Sequence, residues 1–489
     1  MKGINSQRRR GFTASLLFLA FMSVVVLQTK GDNGPNNKDG TIANADSLVT
    51  QGRQIFRFDT FGDQDFWGDT LKLHQAIEGS GLGGVGPGVS PKAALAAGLK
   101  VDLDALPADL VAHLKQGTVD LNDPAVTLQL LKLNAVLGLT GIFNTSGTLQ
   151  SIGIQCALCH STVDDSLPQS CGGLISPNPG TGCIGHRLDG WANRDLNVGG
   201  IIALAPDLSA FASLLGTTQD TVRTVLHSWG PGKFDAELIL DGKAFNPQQV
   251  TDGRVTGTNV PGATLIPPAF GLGGVNLHTW TGWGSIPHWN AFVANLEMHG
   301  KGRFWDPRLN NAAQFPIAAA HGFGDLKLPN GQYISPDDDQ ITSKLAPLQF
   351  YQLAIPSPQP PEGSFDASAA QRGDELFSGK AKCNNCHVEP LWTDAGWNLH
   401  TPPEVCIDSF QADRAPDHRY RTAPLGDLFT HFKGGFYHDG RFPDLHAVVE
   451  HYDTCMSLGL TANEKSDLVQ YLLSLTFGTQ QQGQTKAHK

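Results

Sequence analysis

Two five-residue strings, Cys156-Ala-Leu-Cys159-His160 and Cys383-Asn-Asn-Cys386-His387, carry the chemistry this chain announces most plainly. Two thiols separated by two residues on one turn of helix reach both vinyl groups of a porphyrin, and the adjacent imidazole reaches the iron. A lone Cys-x-x-Cys could instead be a redox dithiol or half of a zinc site. Here a His follows both copies at the same offset, and neither copy has a second Cys/His half-site nearby. The strings therefore imply two covalently bound haem c groups. Cys156, Cys159, Cys383 and Cys386 are the attachment points, and His160 and His387 are the proximal iron ligands.

The ends and remaining cysteines set the context. Lys2, Arg8, Arg9 and Arg10 precede an apolar run at 14–27, the outline of a secretory signal over residues 1–30. The run is at the short limit of a bilayer span, so a retained N-terminal anchor is the alternative. Export to the periplasm agrees with the haem reading. Of eight cysteines, four lie outside the two strings: Cys171, Cys183, Cys406 and Cys455. An even remainder in an oxidising compartment suggests two disulfides, and spacing does not fix their pairing. Cys171 and Cys183 bracket a Gly/Pro-rich loop, while Cys406 with Cys455 would tie the C-terminal region to itself. Removing residues 1–30 takes away five Lys/Arg and no acids, which moves the net charge from −11 to −16. Such a surface excludes nucleic acid as a partner and steers a basic electron carrier towards it.

The elements that position these residues read as mainly α. A Pro-rich stretch at 355–363 cannot continue a helix and places a linker at 355–365. After it, Gly373-Asp-Glu-Leu-Phe377 leads into Cys383 as the first helix of a small cytochrome c domain, and Thr461 with Glu464 makes a capping box ahead of a helical pattern from Leu468. Gly52-Arg-Gln-Ile-Phe56 echoes the first of these far upstream. The expected organisation is a signal (1–30), a flexible linker (31–48), a cytochrome c-like domain heavily expanded by loops and insertions (49–354), the Pro-rich linker, a second cytochrome c domain (366–480) and a disordered tail (481–489). Strand-like alternation is confined to short runs such as 236–241.

The string Arg419-Tyr-Arg-Thr422-Ala-Pro424-Leu, followed by Gly435-Phe-Tyr-His438-Asp-Gly-Arg441, resembles the bacterial di-haem cytochrome c peroxidase and MauG superfamily. The likeness covers about residues 368–478 and is patchy before them. It implies an N-terminal haem that reacts with peroxide, a C-terminal haem that transfers electrons, and a calcium ion between them. By the same likeness, His186 in Ile184-Gly-His186 corresponds to the distal ligand of the first haem. Asn193, Thr422 and Pro424 correspond to the calcium ligands. Trp280 and Glu297, in Trp280-Thr-Gly282 and Glu297-Met298, correspond to the Trp near the haems and the distal acid/base. Trp280-Thr-Gly282 lacks the family's Asp-Gly-Arg ending, and its spacing to Glu297 is slightly short.

Residue chemistry adds to this. Peroxide reduction takes two electrons, which two haems supply, and two protons, which a carboxyl in an apolar pocket can move; Glu297 is the candidate. His278, His288 and His299 are alternatives to His186 for the distal pocket. Tyr452 and Met456, one turn apart on one helix, are the candidate sixth ligands of the second haem. Met would raise its potential, and an anionic Tyr would lower it. Trp191 and Trp289 are further candidate electron relays. The expected partners are a small electron-donor protein (cytochrome or cupredoxin), hydrogen peroxide or a related oxidant, and a second copy of the chain in a homodimer. Two other functions stand beside peroxide reduction: an electron-transfer cytochrome without catalysis, and a MauG-like oxidase of an organic or protein substrate.

Overall fold

Gly52 and Phe56 sit one turn apart on the helix Gly40–Phe58, as Gly373 and Phe377 do on the helix Ala367–Ser378. In this computed structural model the two pairs are used alike. A Cβ on Gly52 would stand 1.9 Å from the Pro347 carbonyl oxygen and 2.5 Å from Tyr351 Cβ; one on Gly373 would stand 2.2 Å from the Asp467 carbonyl oxygen and 2.7 Å from Tyr471 Cβ. Each glycine thus lets a second helix, Leu345–Ala354 or Ala462–Ser474, approach to backbone contact. Four residues on, Phe56 meets Tyr351 with ring centroids 5.5 Å apart at 61°, and Phe377 meets Tyr471 at 5.1 Å and 60°. The upstream echo is therefore a repeated helix pair.

The described residues are 39–477 apart from 168–181, 247–248, 252, 259–261, 327–334, 395 and 397. They are mainly helical, and their strands form only two-stranded pairs. Two expectations are corrected. The linker expected at 31–48 is helical from Gly40, and the strand-like run at 236–241 is a helical turn, Leu238–Asp241, with all four residues buried. Full burial on every side removes the half-buried face that alternation would mark. The capping box at Thr461 and Glu464 forms as expected.

Among the described residues, those up to Asp46 and those from Ser47 onward form two units. Within the second, one apolar cluster lies wholly between Phe377 and Leu475. A larger one runs from Trp67 to Ala415, and a third gathers Phe56, Ala157, Phe270, Met298 and Tyr351. The expected signal at 1–30, Cys171 and the tail at 481–489 lie outside the described residues. No helix among those described is long and apolar enough to cross a membrane.

Candidate haem and peroxide site

Both haem strings hold their histidines in the same way. His160 donates from Nδ1 to the Pro267 carbonyl at 3.0 Å, and His387 from Nδ1 to the Trp392 carbonyl at 2.9 Å. Fixing Nδ1 in this way sets the tautomer and leaves Nε2 as the lone-pair nitrogen, the arrangement in which an imidazole binds a metal. Burial keeps both rings neutral, His160 down to about 4, with the carbonyl bonds opposing. The four thiols are unpaired with one another. Burial raises the Cys156 and Cys159 thiols to about 12 and the Cys383 thiol to about 11. The free, buried thiols beside a His with a fixed Nδ1 fit thioether attachment to porphyrin. Cys386, Asp394 and His400 converge closely enough to hold a metal, but that thiol belongs to the second string.

Glu297 ends a π-helical turn, Val293–Glu297, that follows the helix Ile286–Phe292. Such turns redirect side chains and recur at functional sites. Its neighbour Met298 is buried in the cluster that contains Ala157 and borders Cys156 and Trp191, so this turn packs against the first string. Glu297 is half-buried by surface, yet its Oε1 is buried without a partner. Burial, then the charges of Glu237 and Asp235, push its pKa well above the usual carboxylate range; Arg414 opposes them.

Those neighbours form a cluster that the sequence did not reveal. Arg414, fully buried, binds Asp235 at 2.9 Å and Asp241 at 2.8 Å. Glu237 is 4% exposed with Oε2 unpartnered, and burial raises it to about 7. One guanidinium thus faces more carboxyl groups than it can neutralise, and the surplus holds protons. No motif links positions 235–241, 297 and 414, so only folding could bring them together.

The other candidates divide. Trp280 donates from Nε1 to the Leu265 carbonyl at 3.0 Å, two residues from Pro267, and its own carbonyl accepts from Arg421, beside the Ala423 that bonds His387. It therefore spans the segments holding the two proximal histidines. Tyr452 lies near Cys383 and Cys386, and its ring centroid is 6.1 Å from that of Tyr437. Met456 is 45% exposed at the helix end, which corrects the alternative that it is a core residue. The side chain of His186, the expected distal ligand, is 53% exposed and its Nδ1 lies 2.9 Å from the Asp104 carboxylate.

Of the alternatives, His278 bonds the Val275 carbonyl, His288 sits 3.6 Å from Asp306 among Trp283, Trp289 and Phe304, and His299 stacks on Phe66 at 3.6 Å. Trp289 belongs to that aromatic cluster, whereas Trp191 packs on Phe270. His431, half-buried and kept neutral by desolvation, lines a cavity with Trp191. Asn193 donates to Gly98 and accepts at 3.3 Å from Asp195 N, and the Thr422 carbonyl accepts from Thr393 Oγ1 at 2.7 Å. Cys406 and Cys455 are disulfide-bonded, and Cys183 is disulfide-bonded and buried.

The chain is 26% identical over 318 residues to the cytochrome-c peroxidase IdrP1 of Denitromonas iodatirespirans, covering 50% of this chain and 84% of that protein. It is 26% identical over 243 residues to the methylamine utilization protein MauG of Methylorubrum extorquens, covering 44% and 68%. Both relatives support the likeness of this chain to the di-haem cytochrome c peroxidases and MauG. Among solved structures it is similar to the diheme peroxidase BthA of Burkholderia thailandensis (16% identity, TM-score 0.29, 51% of this chain and 78% of that one). It is also similar to a MauG-like protein associated with microbial copper homeostasis (21%, TM-score 0.23, 31% and 60%). No family model matches.

Proposed function

We propose that the protein is an exported di-haem cytochrome c that reduces hydrogen peroxide at the haem of His160, with the haem of His387 receiving electrons from a small donor protein. When bound, the two haems supply two one-electron couples and the iron at which peroxide is cleaved. The observation that carries the reading is Glu297, its Oε1 buried and unpartnered on a turn packed against the first string. A carboxyl kept protonated by burial and by Glu237 can give its proton to the departing peroxide oxygen and take one from the attacking side. Glu237 offers a second proton close by, and Arg414 fixes Asp235 and Asp241 so that the excess protons stay on Glu237 and Glu297. Trp280, between the two histidine-bearing segments, suits electron passage.

A second reading has its own support. Tyr452, near Cys383 and Cys386 while Met456 faces solvent, favours a phenol over a thioether as the sixth ligand of the second haem. Such a ligand lowers the potential and suits MauG-like oxidation of an organic or protein substrate.

The test is steady-state peroxide reduction with a one-electron donor. The expected result is turnover that Glu297→Gln lowers by about 10²–10⁴-fold, with both haems retained. Equal rates in the two proteins would remove Glu297 from the mechanism, and no turnover in either would leave an electron carrier or an oxidase.

A further inference from the structure

Arg194 is 8% exposed, and neither of its Nη atoms has a hydrogen-bond partner. A guanidinium is charged at all ordinary pH and carries five donors in a rigid fork, so a buried one without an anion is strongly disfavoured. Burial lowers its pKa to about 10, and no carboxylate opposes the shift. The carboxylate next to it in sequence is already taken: Asp195 binds Lys100 at 2.8 Å and Lys433 at 2.6 Å. Three cations thus meet one acid, in a chain whose net charge is −11.

The location says which anion completes the set. Gly190 N donates to the His160 carbonyl at 2.8 Å and Asn193 N to the Cys159 carbonyl at 2.9 Å, so the segment bearing Arg194 is fastened to the first haem string. Arg194 lines a small cavity with Trp191, Pro268, His431 and Lys433. Pro268 follows the residue whose carbonyl holds His160. We infer that Arg194 is the buried counter-cation for a propionate carboxylate of the first haem, paired through its guanidinium fork, with Lys433 on the same cavity. This rests on the haem reading of Cys156–His160. A fixed positive charge beside a haem favours the ferrous form, which carries one more negative charge. Arg194 is therefore a positioning residue that raises the potential of the peroxide-side haem.

Spectroelectrochemical titration of the holoprotein tests this. Arg194→Gln is expected to shift the ferric/ferrous equilibrium of the first haem at least about tenfold towards ferric, about 59 mV for a one-electron couple, and to leave the second haem unmoved. Two haems per chain by pyridine haemochromogen assay with neither potential moved overturn the inference alone. Fewer than two haems in the wild type overturn the haem reading and the inference with it. Should Arg194→Gln fail to fold, the propionate bending band in the resonance Raman spectrum of the wild type decides: it is expected to shift in D2O as the guanidinium protons exchange, and an unshifted band overturns the pairing. Inorganic phosphate should leave the wild-type potential unchanged; a phosphate-dependent shift would make this a site for a free anion and overturn the assignment.

Discussion

At the residue scale, the carboxyl cluster around Arg414 makes a prediction separate from catalysis. Burial raises Glu237 to about 7 and Asp235 to about 6, in each case with Arg414 opposing. Between the ordinary Glu value and about 7 the folded protein keeps a proton that the unfolded chain has released. The stability these two carboxyls contribute therefore falls as pH rises through that window, while the buried histidines held neutral act in the opposite sense. The thermal midpoint of the wild type should fall relative to that of Glu237→Gln as pH rises from about 5 to 7; a constant difference would show that Glu237 does not hold the proton. The haem attachments and proximal histidines are expected from the sequence alone, because covalent chemistry demands a fixed local spacing. Glu297 was named from its Met298 neighbour and the family likeness, and the fold adds that its Oε1 is buried without a partner. Glu237 and Arg414 could not be named from sequence, because their cluster comes from contacts between distant segments. A short motif likewise gives no sign that the His186 ring will lie beside Asp104.

At the element scale, the repeated Gly-x-x-x-Phe helix pair was readable because backbone contact between helices tolerates little but glycine. Gly373→Ala places a Cβ 2.2 Å from the Asp467 carbonyl oxygen, and it should cost about 1–3 kcal/mol in chemical denaturation by forcing the helices apart. A variant as stable as the wild type would mean that the contact relaxes freely. The bond between Cys406 and Cys455, 49 residues apart, anchors the helix Leu445–Met456 that carries Tyr452. Replacing both cysteines by serine should destabilise the protein by up to about 4 kcal/mol from loop entropy, measured in the same way. It should also broaden the spectrum of the second haem more than that of the first. The turn at 238–241 was misread because its burial on all sides erases periodicity, and residues 40–48 because their polar composition resembles a linker.

At the scale of the whole molecule, the charge of −11 argues for a basic donor. The rate of reduction by a basic cytochrome should fall steadily as ionic strength rises from about 0.01 to 0.15 M, as the screening length shrinks from roughly 30 to 8 Å; a rate indifferent to salt would point to an apolar docking surface. Helical class and two haem strings were available from sequence, whereas the geometry that joins them, Trp280 between the two proximal segments and the shared proton cluster, required the fold. The central claim, that two haems act together on one peroxide with Glu297 moving the proton, is tested most directly by stopped-flow absorbance. Fully reduced protein is mixed with less than one equivalent of hydrogen peroxide. Oxidation of two haem equivalents per peroxide, at a rate far above free haem and slowed by about 10²–10⁴-fold in Glu297→Gln, is the predicted result. Oxidation no faster than free haem, or at the same rate in the variant, would contradict it.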